Sequence, residues 1–226
     1  DTDGDNLHDG WEVAGETPDG VALPGADPRH KDLYVHVTYA EGSQALREPD
    51  RASIRGAFKH ANVSNPDGEH GIDVHIDDRY RTIDIDGPFE TRAAALETLY
   101  AARTTESIGD RAGVYQHVVV MPIDDEKTGF DVWTEQPGYR VLVDEGELSH
   151  RSGTVGYRDR LVIWALLRNV AGDVDADVDG GWWVREPDDV DLMFEEDVPA
   201  PVAAKLSREG FANTSETLNA TDAASA

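Results

Sequence analysis

Cysteine is absent from this chain of 226 residues, and lysine is scarce, with four lysines beside sixteen arginines. Without cysteine the protein can form no disulfide, no thiolate metal site and no cysteine nucleophile, although this leaves its compartment open. No apolar stretch has the length of a transmembrane helix. Membrane insertion is therefore not expected.

Positive charge is the other shortage, since 20 Lys and Arg stand against 46 Asp and Glu, for a formal net charge of −26. Such a surface repels nucleic acid and anionic membranes, so neither is expected as a partner. Apolar residues make up 39% of the chain, which is enough to build a core and excludes a disordered acidic chain. Because molar salt screens self-repulsion, an acidic, lysine-poor, folded protein is typical of an extreme halophile. Bound divalent cations could also hold such a chain together.

The first twelve residues, Asp-Thr-Asp-Gly-Asp-Asn-Leu-His-Asp-Gly-Trp-Glu, carry acids at the spacing of a calcium-binding loop. Calcium takes about six to eight oxygen ligands, and acids at this spacing wrap a short loop around one ion. The sixth position normally needs glycine, and Asn6 is the non-glycine residue that best tolerates a left-handed conformation. The alternative is an acidic, solvated surface loop. The predicted ligands are the side chains of Asp1, Asp3, Asp5, Asp9 and Glu12 and the backbone carbonyl of Leu7.

Apolar periodicity predicts strands that alternate with helices, which is typical of a three-layer or open α/β arrangement. The segment 31–39 alternates, with Leu33, Val35, Val37 and Tyr39 on one face. The segment 158–170 is apolar almost all round, which predicts a helix buried in the middle of the domain. Further strands are predicted at 71–77, 114–121 and 138–144, and further helices at 47–61, 91–103 and 202–211.

A second acidic run, from Asp175 to Glu186, follows the predicted buried helix and also matches the calcium-loop pattern. Gly180 stands at the sixth position, but Trp183 stands at the ninth and Pro187 opposes an exiting helix. A hairpin with its acids in solvent explains the same residues, so both interpretations stay open. The calcium ligands here would be Asp175, Asp177, Asp179 and Glu186.

Three stretches together resemble one family. They are the loop 1–12, Pro-Arg-His-Lys-Asp-Leu-Tyr-Val-His-Val-Thr-Tyr at 28–39, and Val-Ser-Asn-Pro-Asp-Gly-Glu-His-Gly-Ile-Asp-Val-His-Ile-Asp at 63–77. In order and spacing they resemble the secreted, metzincin-like zinc metalloproteases of halophilic archaea and bacteria, in which a calcium-binding repeat of the thrombospondin type 3 kind precedes the protease domain. The resemblance implies an α/β fold with a metzincin-like mixed sheet and a central buried helix, preceded by a calcium-binding loop.

The zinc site of that family is missing here. Its catalytic helix carries His-Glu-x-x-His-x-x-Gly-x-x-His, because three imidazoles hold zinc and the glutamate activates its water. The helix in the equivalent place, 157–171, contains no histidine, and none occurs anywhere after His150. Leucine, isoleucine and tryptophan fill that helix instead. The peptidase activity that the resemblance implies is therefore not expected in this chain.

No other catalytic set stands out. His36, His75 and His117 could converge on one sheet face, but ordinary half-buried histidines are the favoured interpretation, since no spacing supports a site. Glu147 and His150 are within reach of each other and are interpreted as exposed polar residues. The chain has no Gly-rich phosphate loop, no Gly-x-Ser-x-Gly turn and no basic patch for nucleic acid. No catalytic residue is therefore predicted.

Two functions remain in contention. The first is a secreted or cell-surface calcium-binding protein of a halophile, an inactive metzincin-like domain that serves adhesion, assembly or binding of a protein or glycan. The sequons at Asn62, Asn213 and Asn219 agree with an extracellular glycoprotein. The second is a divergent hydrolase whose acids at 173–179 and 188–191 hold a catalytic divalent ion. Either way, the predicted organisation is a calcium-binding loop and linker at 1–27, an α/β domain at 28–211 and a polar tail at 212–226.

Overall fold

A mixed β-sheet forms the centre of the protein, with helices and the N-terminal loop packed on its faces. The computed structural model describes residues 1–77, 82–84, 88–100, 107–123, 127, 132–134, 138–144, 157–172 and 198–212. Its strands are β1 Asp32–Ala40, β2 Asp73–Asp77, β3 Thr82–Ile83, β4 Gln116–Met121, β5 Val132–Thr134 and β6 Arg140–Asp144. The helices are α1 Asp9–Ala14, α2 Glu48–Lys59, α3 Arg92–Tyr100, α4 Tyr157–Ala171 and α5 Ala200–Glu209.

The strand order is β2-β1-β4-β6-β5, and β3 pairs with β1 beyond the end of β2. These pairs are parallel except that β5 runs antiparallel to β6 at the edge. The register sets His36 beside both Asp77 and His117, so that polar residues of three strands share one face. This register brings the start of β1 next to the start of β2, which matters for the site described below.

The main core lies between one face of the sheet and the helices α2, α4 and α5. The apolar residues of β1 that were expected to share a face all enter this core. Most side chains of α4 whose burial is described are buried, and Arg160, Ile163 and Arg168 are half-buried, so the helix can be apolar on most sides. The core takes Ile54 and Phe58 from α2, Leu161, Trp164 and Leu166 from α4, and Val202 and Leu206 from α5.

The opposite face carries two smaller apolar clusters with polar residues between them. Near the start of β1, Leu7, Val21 and Leu23 from the N-terminal segment pack on Tyr34 and Tyr115. Near the end of the strands, Ala95 of α3 packs in a cluster with residues of β1, β4 and β6. The N-terminal segment is therefore part of the packed domain, because its apolar side chains cover one end of this face.

The predicted α/β class is confirmed as a six-stranded mixed sheet with helices. Each predicted strand and helix occurs with ends shifted by a few residues, although 101–103 of the predicted third helix lie outside the described residues. The strands β3 and β5 and the short α1 were not predicted. Two or three strand residues carry no readable periodicity, and α1 spans less than two turns.

Candidate metal centre

The N-terminal loop is curled by its own aspartate side chains. The Asp1 carboxylate accepts hydrogen bonds from the backbone N–H of Gly4 at 2.6 Å and of Asn6 at 3.0 Å. Asp5 accepts a further one from the N–H of Leu7 at 2.8 Å. Aspartate favours such local contacts to nearby backbone donors. Asn6 has a φ of 73°, the left-handed conformation expected at the sixth position of a calcium-binding loop.

This curl gathers carboxylates into two overlapping groups. Oxygens from Asp1, Asp3 and Asp5 lie within 4.8 Å of one another, and so do oxygens from Asp5, Glu12 and Asp32. Asp5 belongs to both groups. All of these side chains except Asp1 are buried, with exposed fractions of 6% for Asp3, 4% for Asp5 and 3% each for Glu12 and Asp32. We refer to Asp3, Asp5, Glu12 and Asp32 as the acid cluster.

Asp32 is the member that the loop pattern missed. It begins β1, and its backbone N–H donates to Asp5 Oδ2 at 2.9 Å, which ties the strand to the loop. Its own carboxylate accepts from the backbone N–H of Asp27 at 2.9 Å and pairs with the Nε2 atom of His75. His75 in turn stacks on Tyr34, with ring centroids 4.5 Å apart. The sequence signal was the alternation of β1, which places Asp32 on the face opposite Leu33.

Among the residues that the structure describes, three oxygens of the acid cluster find no hydrogen-bond donor. These are Asp3 Oδ2 and both carboxylate oxygens of Glu12, and all three are shielded from solvent. A buried polar atom normally has a partner, and a buried charge without one is strongly destabilising. Glu12 is therefore a side chain whose surroundings are incomplete unless a proton or a cation reaches it.

Burial and mutual repulsion disfavour the charged form of these acids. Burial raises the pKa of Asp5 to about 8, and the neighbouring Asp3 carboxylate adds to this. Burial likewise raises the pKa of Glu12 to about 7, with repulsion from Asp3 and Asp32 contributing. Burial is also the main reason that the pKa of Asp3 is raised. The part of these shifts that comes from neighbouring carboxylates reflects concentrated negative charge, which a cation would offset.

Lys31 is the nearby positive side chain, and it is itself buried. Burial lowers the pKa of its ammonium group, although the charges of Asp3 and Asp5 favour the protonated form. Its Nζ atom donates to the backbone oxygen of Ser64 at 3.5 Å, which is a long hydrogen bond. One ammonium cannot neutralise four carboxylates, so Lys31 reduces the repulsion in the acid cluster without removing it.

The donor set fits a hard divalent cation. Carboxylate oxygens are the ligands that calcium, magnesium and manganese prefer, whereas zinc and copper favour imidazole and thiolate. Four carboxylates can offer up to about eight oxygens, which matches the coordination number of calcium when some bind through both oxygens. The described residues that could hold a metal as a group of three or more are all acids.

The remaining predicted ligands of the first loop are placed differently. Asp1 is exposed and belongs only to the group with Asp3 and Asp5. Asp9 is half-buried and outside both groups, and it accepts hydrogen bonds from the backbone N–H and the hydroxyl of Thr2, each at 2.7 Å. These bonds lower the pKa of Asp9 to about 2. Leu7 packs its side chain into the apolar cluster beneath the loop, and its carbonyl ligand stays a prediction.

The second predicted calcium loop, 175–186, lies outside the described residues. The same holds for the acids at 173–179 and 188–191 of the hydrolase hypothesis, and for Glu147 and His150.

His36, His75 and His117 lie on one face of the sheet, but each ring has its own partner. His36 Nδ1 lies 3.1 Å from Asp77 Oδ2, and His117 Nε2 lies 2.9 Å from the hydroxyl of Thr38. His75 instead contacts Asp32. Burial lowers the pKa of His117 to about 3, so this imidazole is neutral at ordinary pH. The arrangement agrees with hydrogen-bonded histidines, of which His36 and His117 are buried and His75 is half-buried.

Comparison with known proteins adds no assignment: no family model matches the chain, and no curated protein matches it. Among the residues that the structure describes, no helix is both long enough and apolar enough to cross a membrane.

Proposed function

We propose that this protein binds calcium at the acid cluster and that the ion has a structural role. The observation that carries the proposal is Glu12, a buried carboxylate whose two oxygens have no hydrogen-bond donor and which lies beside Asp5 and Asp32. A divalent cation would coordinate the carboxylate oxygens that lack donors and would offset the repulsion between the carboxylates. Because the ion would join the loop to β1, its binding energy would appear as folding energy.

Calcium is favoured over magnesium by the crowding of carboxylates. Magnesium demands near-ideal octahedral geometry and keeps several waters, whereas calcium accepts many carboxylate oxygens in irregular geometry. The acid cluster supplies carboxylates from a loop, a helix and a strand, and its members are shielded from solvent. Such a set suits the larger ion.

The wider role that we propose is that of a secreted or cell-surface protein of a halophile, built on a catalytically inactive, metzincin-like domain. The mixed sheet with a buried helix supports this, and so does α4, where Leu161 and Leu166 are fully packed in the core. Such a domain would bind a protein or glycan partner at the cell surface. Asn62, the sequon among the described residues, is exposed and accessible to a glycan.

Calcium titration into chelator-treated, desalted protein in molar sodium chloride tests the proposal. Calorimetry should show saturable binding with a large rise in melting temperature, and magnesium at equal concentration should give much less. The Glu12→Gln variant should lose most of the binding. Absence of both binding and a melting shift in the native protein would mean that the acid cluster is only part of an acidic surface.

The proposed lack of peptidase activity is tested separately. The calcium-loaded protein, incubated with a peptide library and with zinc, should release no products. Cleavage that a chelator abolishes would refute the inactive domain, while leaving the calcium site to the titration.

A further inference from the structure

The C-terminal end of α5 is joined directly to the N-terminal loop. The backbone N–H of Phe211 donates to the carbonyl of Gly4 at 2.6 Å. The side-chain amide of Asn6 donates to the carbonyl of Ala212 at 3.0 Å and lies 3.5 Å from that of Phe211. Ala212 also donates its N–H to the carbonyl of Val170, at the end of α4, at 2.6 Å. Three segments that are distant in sequence therefore meet beside the acid cluster.

Two glycines make this junction tight. Gly4 has a φ of +84° and Gly210 a φ of +72°, which other residues rarely adopt. A Cβ atom on Gly210 would lie 2.2 Å from the carbonyl oxygen of Gly4, so no side chain fits between them. The N–H of Gly4 is held by Asp1, so the conformation of the acidic loop sets the surface on which Gly210 lies.

Asn6 serves the loop and the junction at once. Its backbone takes the left-handed turn, and its N–H donates to Asp1. Glycine, the usual residue at this position, would supply the turn but has no side-chain amide to donate to the carbonyls of Phe211 and Ala212. The departure from the calcium-loop pattern therefore has a physical reason in the contact with the C-terminal segment. A cleft at this place is lined by Asp5, Asn6, Asp32, Phe211 and Ala212.

We propose that calcium in the acid cluster holds the C-terminal segment, residues 198–212, on the domain, and that Asn6 and Gly210 couple the two. The inference rests on the calcium site proposed above. Without calcium, repulsion among the carboxylates loosens the loop and its contacts with Phe211. The C-terminal segment then opens and exposes Val202 and Leu206, which are otherwise buried. Because coupling is reciprocal, weakening the junction must also weaken calcium binding.

Amide hydrogen exchange of the native protein with calcium and after chelation measures the coupling. Calcium should slow exchange at Phe211, Ala212 and the amides of α5 much more than in β4, whose central position makes it an internal reference. Equal slowing in α5 and β4 would show only a general stabilisation and would overturn the coupling. No slowing in α5 despite calorimetric binding would overturn it as well, while the calcium site stands.

Calcium affinity of two variants tests the reciprocal effect. Asn6→Gly keeps the turn and removes the side-chain amide. Calcium affinity should therefore fall about three- to tenfold, as expected for one or two lost hydrogen bonds. Gly210→Ala should weaken binding further through its clash with Gly4. Gly42→Ala is the matched control, because Gly42 also has a positive φ but has no atom within 4 Å of the added Cβ.

The outcomes separate the two proposals. If Gly210→Ala does not fold, Asn6→Gly decides, since it introduces no clash. Unchanged or tighter calcium binding in Asn6→Gly, with unchanged exchange at Ala212, would overturn the coupling and leave the calcium site intact. Failure of the native protein to bind calcium would overturn both.

Discussion

At the residue scale, Glu12 and Asp9 show how burial decides which acids of a loop can serve a cation. Both stand at ligand positions of the sequence pattern, yet Glu12 is buried without donors whereas the Asp9 side chain is 45% exposed and hydrogen-bonded to Thr2. An exposed carboxylate is already solvated and gains little from an ion. A buried carboxylate without donors is destabilised when charged, and a bound cation removes that cost. The binding energy should therefore come from the acid cluster.

A matched pair of substitutions tests this distinction. Asp32→Asn removes one charge from the acid cluster and should lower calcium affinity about tenfold or more. Asp9→Asn, the same chemical change outside the cluster, should alter affinity by less than about twofold, because exposed charges contribute little in molar salt. Calorimetry on both variants in molar sodium chloride gives the comparison. A larger loss in Asp9→Asn would assign the ion to the loop pattern instead.

The raised pKa values of Asp5 and Glu12 predict how the calcium-free protein responds to pH. Their pKa values are about 8 and about 7 in the folded state, against about 3.9 and 4.3 in an unfolded chain. Between these limits the folded state binds more protons than the unfolded chain, so stability must fall as pH rises. Below about pH 4 this contribution is fully present, and above about pH 8 it is lost.

Thermal melts of chelator-treated, desalted protein in molar salt should therefore show a falling melting temperature from pH 5 to pH 8. The proposed calcium ion would bind the ionised carboxylates, so the rise in melting temperature that calcium causes should grow over the same range. The fall should be shallower in Glu12→Gln, which cannot take up that proton. A flat or rising profile in the calcium-free native protein would show that these acids are already ionised in the folded state.

At the element scale, the long periodic segments were predictable and the junctions between segments were not. The alternation of Leu33, Val35 and Val37 determined both the strand β1 and its core face, and the apolar segment at 158–170 identified α4. The spacing of acids predicted a tight N-terminal turn with Asn6 in a left-handed conformation, because such a turn depends on residues close in sequence. Asp32 and the contact of Asn6 with Ala212 depend on how the sheet brings separate segments together, and local spacing carries no information on that.

The buried helix α4 gives a prediction at this scale. Leu166 has no exposed surface and lies in the core between α4 and the sheet, so Leu166→Ala should lower the free energy of unfolding by about 2–5 kcal/mol. Val13→Ala is the control, because Val13 in α1 is 78% exposed and its loss should change stability by less than about 0.5 kcal/mol. Both are measured by denaturant unfolding with calcium present. Equal effects would contradict the placement of α4 in the core.

At the scale of the whole molecule, the acids that give the net charge of −26 include two populations with different responses to salt. Most acids among the described residues are exposed, where salt screens their repulsion. The acid cluster is buried, where screening by dissolved ions is weak. A halophilic surface and a calcium site are therefore compatible. They can be distinguished because the exposed acids respond to salt concentration, whereas the acid cluster should respond to calcium concentration.

Melting temperature measured against sodium chloride, with and without calcium, makes this separation testable. Raising salt from about 0.1 M to about 1 M shortens the screening length from about 10 Å to about 3 Å, so the calcium-free protein should become more stable. The increment from saturating calcium should persist in molar salt, because sodium does not replace a divalent ion among four buried carboxylates. In Asp32→Asn the response to salt should remain while the calcium increment shrinks. If molar salt abolished the calcium increment in the native protein, calcium would be acting on the exposed acids, and the acid cluster would not be its site.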